Sequence, residues 1–364
     1  MRILHVITTL DLGGAENQLF ILSRKQVMAG NQVSVAFLKG TGKLAKKFKK
    51  SGIEVDFRLA NKNFLFQIVL KNLYYRDFEL LHLHLPRSEL IFSIFPLNLP
   101  IINTRHNAEL FLPKAQKVKW LSMILAKIST RKTYSVVAIS HSVKNYIKAR
   151  KEISSNSKIT LIYYGIGNNK NQIINTRNSV IKSHNSLYFR IGTIARLVDQ
   201  KRIDILIKGY AQFVQFCPNS KLEIIGEGKR KNDLIRLSST LKCEDKVHFL
   251  GESLDPWRKA KKWQCFILTS AYEGFGLVLL EAMANGIPII ASRIPSTEEV
   301  LGIEFPFLFD PENDQQLFHL IKKVIESNFD FNKYYSARLK VFSVEQLYQS
   351  HQDLYLSALD ADSL

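Results

Sequence analysis

The chain has 364 residues, 46% of them hydrophobic, which is enough for a globular core; at about 100–200 residues per domain, the length allows two domains. A formal net charge of +19 favours anionic partners, whether nucleic acid, anionic lipid or phosphorylated substrates, without choosing among them. The three cysteines, Cys217, Cys243 and Cys265, are odd in number and form no CxxC spacing. They argue against a disulfide framework or a zinc site and for a reducing, cytosolic compartment.

The N-terminal apolar run carries His5, Thr8 and Thr9 and passes straight into Asp11-Leu12-Gly13-Gly14. Without a small-residue cleavage pattern it reads as a buried strand over 3–7, not as a signal peptide. A helix over 15–30 follows, then a strand over 33–37 and a lysine-rich helix over 42–51. Further strands are predicted over 80–83, 101–103, 136–139 and 158–162. The apolar stretch 90–102 is broken by Pro96, Asn98 and Pro100 and is too short to span a bilayer. Strands separated by helices imply βαβ units and a mostly parallel sheet.

Residues 168–185 are rich in Asn, Lys and Ser and read as an interdomain linker. The alternation then restarts, with strands over 189–195, 221–225, 247–250, 265–268 and 289–291. Helices are predicted over 203–216, 232–241 and 277–285, and the tail from 314 reads as helices. Two α/β halves joined by a polar hinge would set two rows of strand C-terminal ends face to face. Ligands of open parallel sheets bind outside such ends, so a cleft between the halves is the expected active site.

Three motifs carry chemistry. Gly13-Gly14-Ala15-Glu16 opens a helix directly after the first strand, where backbone amides and the helix dipole favour an anion. Arg196 and Lys201, five residues apart just past the first strand of the second half, can bracket a diphosphate, Arg through bidentate bonds and Lys as a compact charge. Glu273 and Glu281 stand eight residues apart in Glu273-Gly274-Phe275-Gly276-Leu277, continuing to Glu281-Ala282-Met283-Ala284. Paired carboxylates suit the vicinal hydroxyls of a ribose or hexose. The amides at that helix start, Gly274 to Leu277, can meet an anion.

These residues resemble the retaining glycosyltransferases of family 4. The resemblance runs from about residue 3 to about residue 325 and is strongest after 190. It implies an α/β protein of the GT-B fold, with two facing Rossmann-like parallel-sheet domains and an interdomain cleft. The implied acceptor domain is 1–167, the linker 168–187 and the nucleotide-sugar domain 188–340. A C-terminal helix in 341–364 would pack back toward the first domain. By the same resemblance Arg196 and Lys201 bind the donor diphosphate, Glu281 the ribose hydroxyls, and Glu273 with the amides of Phe275 and Gly276 the donor sugar. Gly13 and Gly14 would reach the phosphates or the sugar, Gly226 belongs to a Gly226-Glu227-Gly228 turn where the family has Gly-Asp-Gly, and His106 stands near the reacting sugar. The family usually shows Pro-Asn-Gly where this chain has Tyr163-Tyr164-Gly165.

The expected reaction moves a sugar from a UDP-sugar or GDP-sugar to a glycan or lipid-linked acceptor with retention, in surface polysaccharide synthesis. No metal and no cofactor beyond this co-substrate is expected. His82 and His84 share one strand face, but no third ligand stands at suitable spacing. An epimerase of the same fold and a non-catalytic sugar-nucleotide-binding protein stay open as alternatives.

From 110 to 151 the chain has ten Lys or Arg and no Asp or Glu. Val118, Leu121, Leu125 and Ile128 recur there at helical spacing beside Trp120, and are expected to face the domain core with the lysines outside. This segment and the cluster Lys43, Lys46, Lys47, Lys49 and Lys50 are expected to meet an anionic membrane surface on the cytoplasmic leaflet. Nucleic acid is not expected, since no helix-turn-helix, RRM or OB pattern is present.

Overall fold

A computed structural model describes every residue except 76, 95–97, 110, 112–118, 168–188 and 363–364. The chain divides into two compact units, Met1–Gly167 with Phe342–Leu364, and Asn168–Val341. The predicted linker lies outside the described residues.

The first unit runs β1 (Arg2–Thr9), α1 (Gly14–Met28), β2 (Gln32–Lys39), α2 (Ala45–Lys49), β3 (Glu54–Asp56), α3 (Phe64–Tyr74), β4 (Leu80–His84), α4 (Pro86–Ser93), β5 (Ile101–Arg105), α5 (Lys119–Thr130), β6 (Thr133–Ala138), α6 (His141–Ala149) and β7 (Lys158–Leu161). The second runs β8 (Arg190–Ile194), a 3-10 turn (Asp199–Lys201), α7 (Ile203–Phe216), β9 (Lys221–Ile225), α8 (Lys231–Thr240), β10 (Val247–Phe249), α9 (Pro256–Ala260), β11 (Cys265–Leu268), α10 (Leu277–Ala284), β12 (Ile289–Ser292), α11 (Pro295–Leu301), β13 (Leu308–Phe309), α12 (Asp314–Glu326) and α13 (Phe331–Val341). The last helix, α14 (Val344–Asp362), belongs to the first unit, where it packs on α1.

Both sheets are parallel. The first has seven strands in the order β3-β2-β1-β4-β5-β6-β7, and the second six in the order β10-β9-β8-β11-β12-β13. Ile3, Leu4, Val6 and Ile7 are all buried on β1, because helices cover both faces of the sheet. In each sheet the strand order reverses once, between β1 and β4 and between β8 and β11. Such switch points are where open α/β sheets present their ligand crevices. Gly192 on β8 has a local duty: a Cβ there would stand 2.1 Å from the Trp263 ring, which packs flat against the bare backbone.

The short elements β3, α4, α6, α9, α11 and β13 are not among those predicted, and three helices differ in ways that matter for the surface. The helix expected over 42–51 is only the short α2, because Gly42 has φ +69° and opens a turn. The apolar stripe of α5 is inverted. Trp120 is 61% exposed, Leu121 37% and Ile128 50%, while Ser122, Ala126, Ser129 and Thr130 are buried. Small residues let α5 lie close to α4, and the Ser129 and Thr130 hydroxyls donate to the Ala126 carbonyl at 2.9 and 3.0 Å. Val118 lies outside the described residues.

Helix α3 is not among the predicted elements; it buries Ile68 in the core but also turns two polar side chains inward and much of its apolar surface outward. Gln67 and Lys71 are buried, whereas Leu65, Phe66, Val69 and Leu73 are exposed. The Gln67 amide donates to the carbonyls of Leu38 and Leu59 at 2.9 and 2.7 Å, which ties α3 to the end of β2 and to the loop leaving β3. Lys71 lies over the Phe92 ring, 5.4 Å from its centroid, and burial brings its pKa down to about 8.

Candidate functional site

In the second unit the candidate residues gather at the C-terminal ends of β8 and β11, the two strands that flank the switch point. Beyond β8 the backbone stays extended and is pinned to the end of β9 and the turn that follows it. The Ala195 amide donates to Ile225 and the Leu197 amide to Glu227. Strand alternation buries Ala195 and Leu197 and turns Arg196 outward, where it is exposed. Gly226 and Gly228 make this pairing possible. A Cβ at Gly226, whose φ is +144°, would stand 1.9 Å from the Ala195 carbonyl oxygen, and one at Gly228 2.4 Å from that of Leu197. The Gly-Glu-Gly turn therefore supports the Arg196 segment through backbone contact.

The 3-10 turn after Arg196 delivers Lys201 to Glu273. Their Nζ–Oε1 distance is 2.5 Å, and both side chains are largely buried. Ser270 donates a second hydrogen bond to the same carboxylate oxygen at 2.6 Å. The two loops are also joined by backbone: Ala271 N donates to Gln200 O, and Thr269 Oγ1 donates to Lys201 O at 2.8 Å. On the turn's outer side, hydrogen bonds from Lys229 and then Arg230 hold the Asp199 carboxyl below its ordinary pKa.

Past Glu273, the residues Gly274, Phe275 and Gly276 are buried and run into α10. Gly276 takes the left-handed conformation, φ +89°, so that Leu277 can start the helix at once. The amides of that first turn point along the helix axis and form an anion-receptive end. One turn on, Glu281 is half-buried, and its Oε2 accepts from the indole N–H of Trp257 at 2.9 Å. A carboxylate on so apolar a helix needs such a partner.

The remaining candidates, Gly13, Gly14 and His106, lie in the first unit. Gly13 caps α1 in an extended conformation and Gly14 is exposed. Glu16 folds back over this helix start: its Oε1 accepts from Thr9 Oγ1 at 2.7 Å, and a Cβ on Gly13 would stand 2.2 Å from its Oε2. A carboxylate at that spot suits a hydroxyl better than a phosphate.

His106 is buried, and both of its ring nitrogens are engaged. Nε2 meets His84 Nδ1 at 3.2 Å, and Nδ1 meets the Tyr164 hydroxyl. Burial lowers the His106 pKa to about 3, so the ring is neutral. Burial, and then the nearby Glu16 charge, raise the Tyr164 phenol well above its ordinary value.

His82 and His84 are both buried, and His5 supplies the third imidazole that spacing did not reveal. Their ligating atoms lie within 4.8 Å of one another. All six ring nitrogens nevertheless have protein partners: His82 bonds Tyr355 and Thr104, His5 bonds Gln26 and His84, and His84 bonds His5 and His106. A metal there would have to displace those bonds.

Sequence reasoning missed Ser270, Trp257, Tyr164, His5 and Gln26. Only Tyr164 left a trace in the sequence, by replacing the asparagine that the resembled family carries.

The family described as "Glycosyl transferases group 1" matches residues 175–340, and that described as "Glycosyltransferase Family 4" matches 12–169. A Campylobacter jejuni protein named as an N-acetylgalactosaminyltransferase acting on a diphospho-undecaprenol-linked sugar is 31% identical over 138 residues, 37% of each chain. The Escherichia coli O-antigen biosynthesis glycosyltransferase WclY is 26% identical over 205 residues, 55% of this chain and 56% of that one. The first curated relatives are matched over only 24% to 54% of their length. Among solved structures, Anabaena HepE in complex with UDP-glucose superposes with a TM-score of 0.80 at 21% identity, over 98% of this chain and 100% of that one. That likeness establishes the fold as GT-B.

Proposed function

We propose a nucleotide sugar donor, an acceptor class and a division of labour for this chain, which belongs to the family 4 glycosyltransferases, the group 1 enzymes. The donor is a UDP-sugar, and the reaction moves its sugar to a hydroxyl of a glycan or lipid-linked acceptor with retention at C1. One observation carries the reading. Lys201, Glu273 and the start of α10 form a connected group at the β8/β11 switch point, with Arg196 exposed beside it.

In this reaction the bond from C1 to the diphosphate breaks and negative charge grows on the leaving oxygen. Arg196, Lys201 and the α10 amides stabilise that charge, the kind of electrostatic term that is usually largest in catalysis. Glu273 accepts from hydroxyls of the sugar and Glu281 from those of the ribose. The UDP assignment is supported by the HepE complex and by a Streptococcus agalactiae relative whose name includes UDP-N-acetylglucosamine. The test is a coupled assay with UDP- and GDP-sugars and a polyprenyl-diphosphate-linked saccharide. Transfer from a UDP-sugar with retained anomeric configuration is the expected result. Donor turnover without acceptor would indicate an epimerase, and binding without turnover a non-catalytic protein.

The acceptor class is supported by the surface of the first unit. No helix among the described residues is long and apolar enough to cross a membrane. Helices α3 and α5 both pack on α4 and offer Leu65, Phe66, Val69, Trp120, Ile124 and Ile128 to solvent, with Lys127, Arg131 and Lys132 alongside. An apolar face with a basic margin fits an anionic lipid surface. The lysines of α2 sit toward the β3 edge of the sheet, away from α5, and are secondary to this contact. The protein should sediment with vesicles containing phosphatidylglycerol and stay in solution with phosphatidylcholine alone. Trp120→Ser together with Ile128→Ser should weaken that binding about a hundredfold or more, from roughly 1.5–3 kcal/mol for each of the two buried large side chains. Equal partitioning to both lipids would remove the contact.

A further inference from the structure

Three histidines stand in line across the centre of the first sheet, on β1, on β4 and just past β5. They are joined ring to ring. His5 Nδ1 lies 3.1 Å from His84 Nε2, and His84 Nδ1 lies 3.2 Å from His106 Nε2. Each end of the row is closed by another side chain. Gln26 of α1 places its carbonyl Oε1 2.9 Å from His5 Nε2, and the Tyr164 hydroxyl sits on His106 Nδ1.

Burial keeps the three rings neutral: it lowers the pKa of His5 to about 4 and of His106 to about 3, and that of His84 well below the ordinary value. A neutral imidazole carries one N–H, so each ring donates once and accepts once. The consequence propagates along the row. Gln26 Oε1 can only accept, so His5 donates from Nε2 and leaves Nδ1 bare. His84 must then donate from Nε2 to that bare nitrogen, which leaves its own Nδ1 to accept. His106 donates to it from Nε2, and its Nδ1 accepts from Tyr164. The amide end of Gln26 is oriented by a second set of bonds: its N–H donates to the Tyr355 hydroxyl at 3.3 Å, which lies 2.6 Å from His82 Nδ1.

We propose that Gln26 is a positioning residue that fixes His106, through His5 and His84, as a hydrogen-bond acceptor at Nδ1. His106 then recognises a substrate hydroxyl that takes the place now held by the Tyr164 hydroxyl, and it offers nothing to a phosphate oxygen. The proposal rests on the reading of His106 as a group that faces the sugar. It makes residue 164, where this chain departs from its family, the stand-in for that substrate hydroxyl.

The test uses the full chain with 15N-labelled histidine and long-range proton–nitrogen spectra at neutral pH. His5, His84 and His106 should each show protonated Nε2 and bare Nδ1. Gln26→Leu removes the acceptor; it should mix the tautomers of His106 and lower kcat about tenfold, the size of one lost hydrogen bond, with the donor KM much less changed. Gln26→Glu keeps an acceptor oxygen and should restore both the spectrum and the rate. Tyr164→Phe removes the opposite end and should leave the proton of His106 on Nε2. A His106 proton on Nδ1 in the unaltered chain would overturn the proposal. So would a folded Gln26→Leu protein with unchanged His106 signals, or a tautomer that follows Tyr164 instead. Mixed tautomers with an unchanged rate would leave the row of bonds standing and remove His106 from the reaction.

Discussion

Arg196→Ala should lower kcat by about 10²–10³-fold, the usual loss when one fixed donor to a developing negative charge is removed. The fold should not change, because Arg196 is exposed and its segment is held by backbone bonds of Ala195 and Leu197. Surface substitutions of that kind stay within about 0.5 kcal/mol of the parent. Lys201→Ala should lose as much rate but also stability. Its partner Glu273 would be left in a largely buried site with the Ser270 hydroxyl still donating to it, and breaking such a pair costs roughly 3 kcal/mol or more. Measuring kcat beside a chemical denaturation curve separates the two effects. The assignment of the cation pair fails if Arg196→Ala turns over at the parental rate. It also fails if the rate is lost only in proportion to lost folded protein.

Glu281→Ala should weaken UDP binding by about 10–100-fold, as expected for hydrogen bonds to an ionised carboxylate worth roughly 1.5–3 kcal/mol. Trp257→Phe should cost less, about fivefold, because it removes only the indole bond that orients Oε2. Calorimetry with UDP and with its 2′-deoxy and 3′-deoxy analogues completes a double-mutant cycle. If Glu281 holds the ribose, at least one deoxy analogue binds the parent weakly and gains nothing further from the substitution. Full additivity for both analogues would place the ribose elsewhere.

How legible these features were depended on their separation along the chain. The βαβ alternation of the second unit could be read almost residue by residue, from 203–216 for α7 to 265–268 for β11, because strand and helix periods are local properties. The carboxylates Glu273 and Glu281 were legible for the same reason. They lie eight residues apart on one loop and helix, and Gly276 marks the turn that starts that helix. Helix α5 misled because the period identifies a stripe but not which side faces inward. Its small and polar stripe is the buried one, since Ser129 and Thr130 permit a close approach.

From sequence alone come two parallel α/β halves, glycine turns at the strand ends, and a cation pair and a carboxylate pair of the right types for a nucleotide sugar. Each of these is written in neighbours a few residues apart, where backbone sterics and side-chain period act directly. Tertiary structure alone decided that Lys201 pairs with Glu273, 72 residues away, that His5 meets His84, 79 residues away, and that Tyr164 closes on His106. Those contacts arise only when separate strands are brought side by side in one sheet, and the hydrogen-bond capacity of a buried side chain does not name its partner in advance.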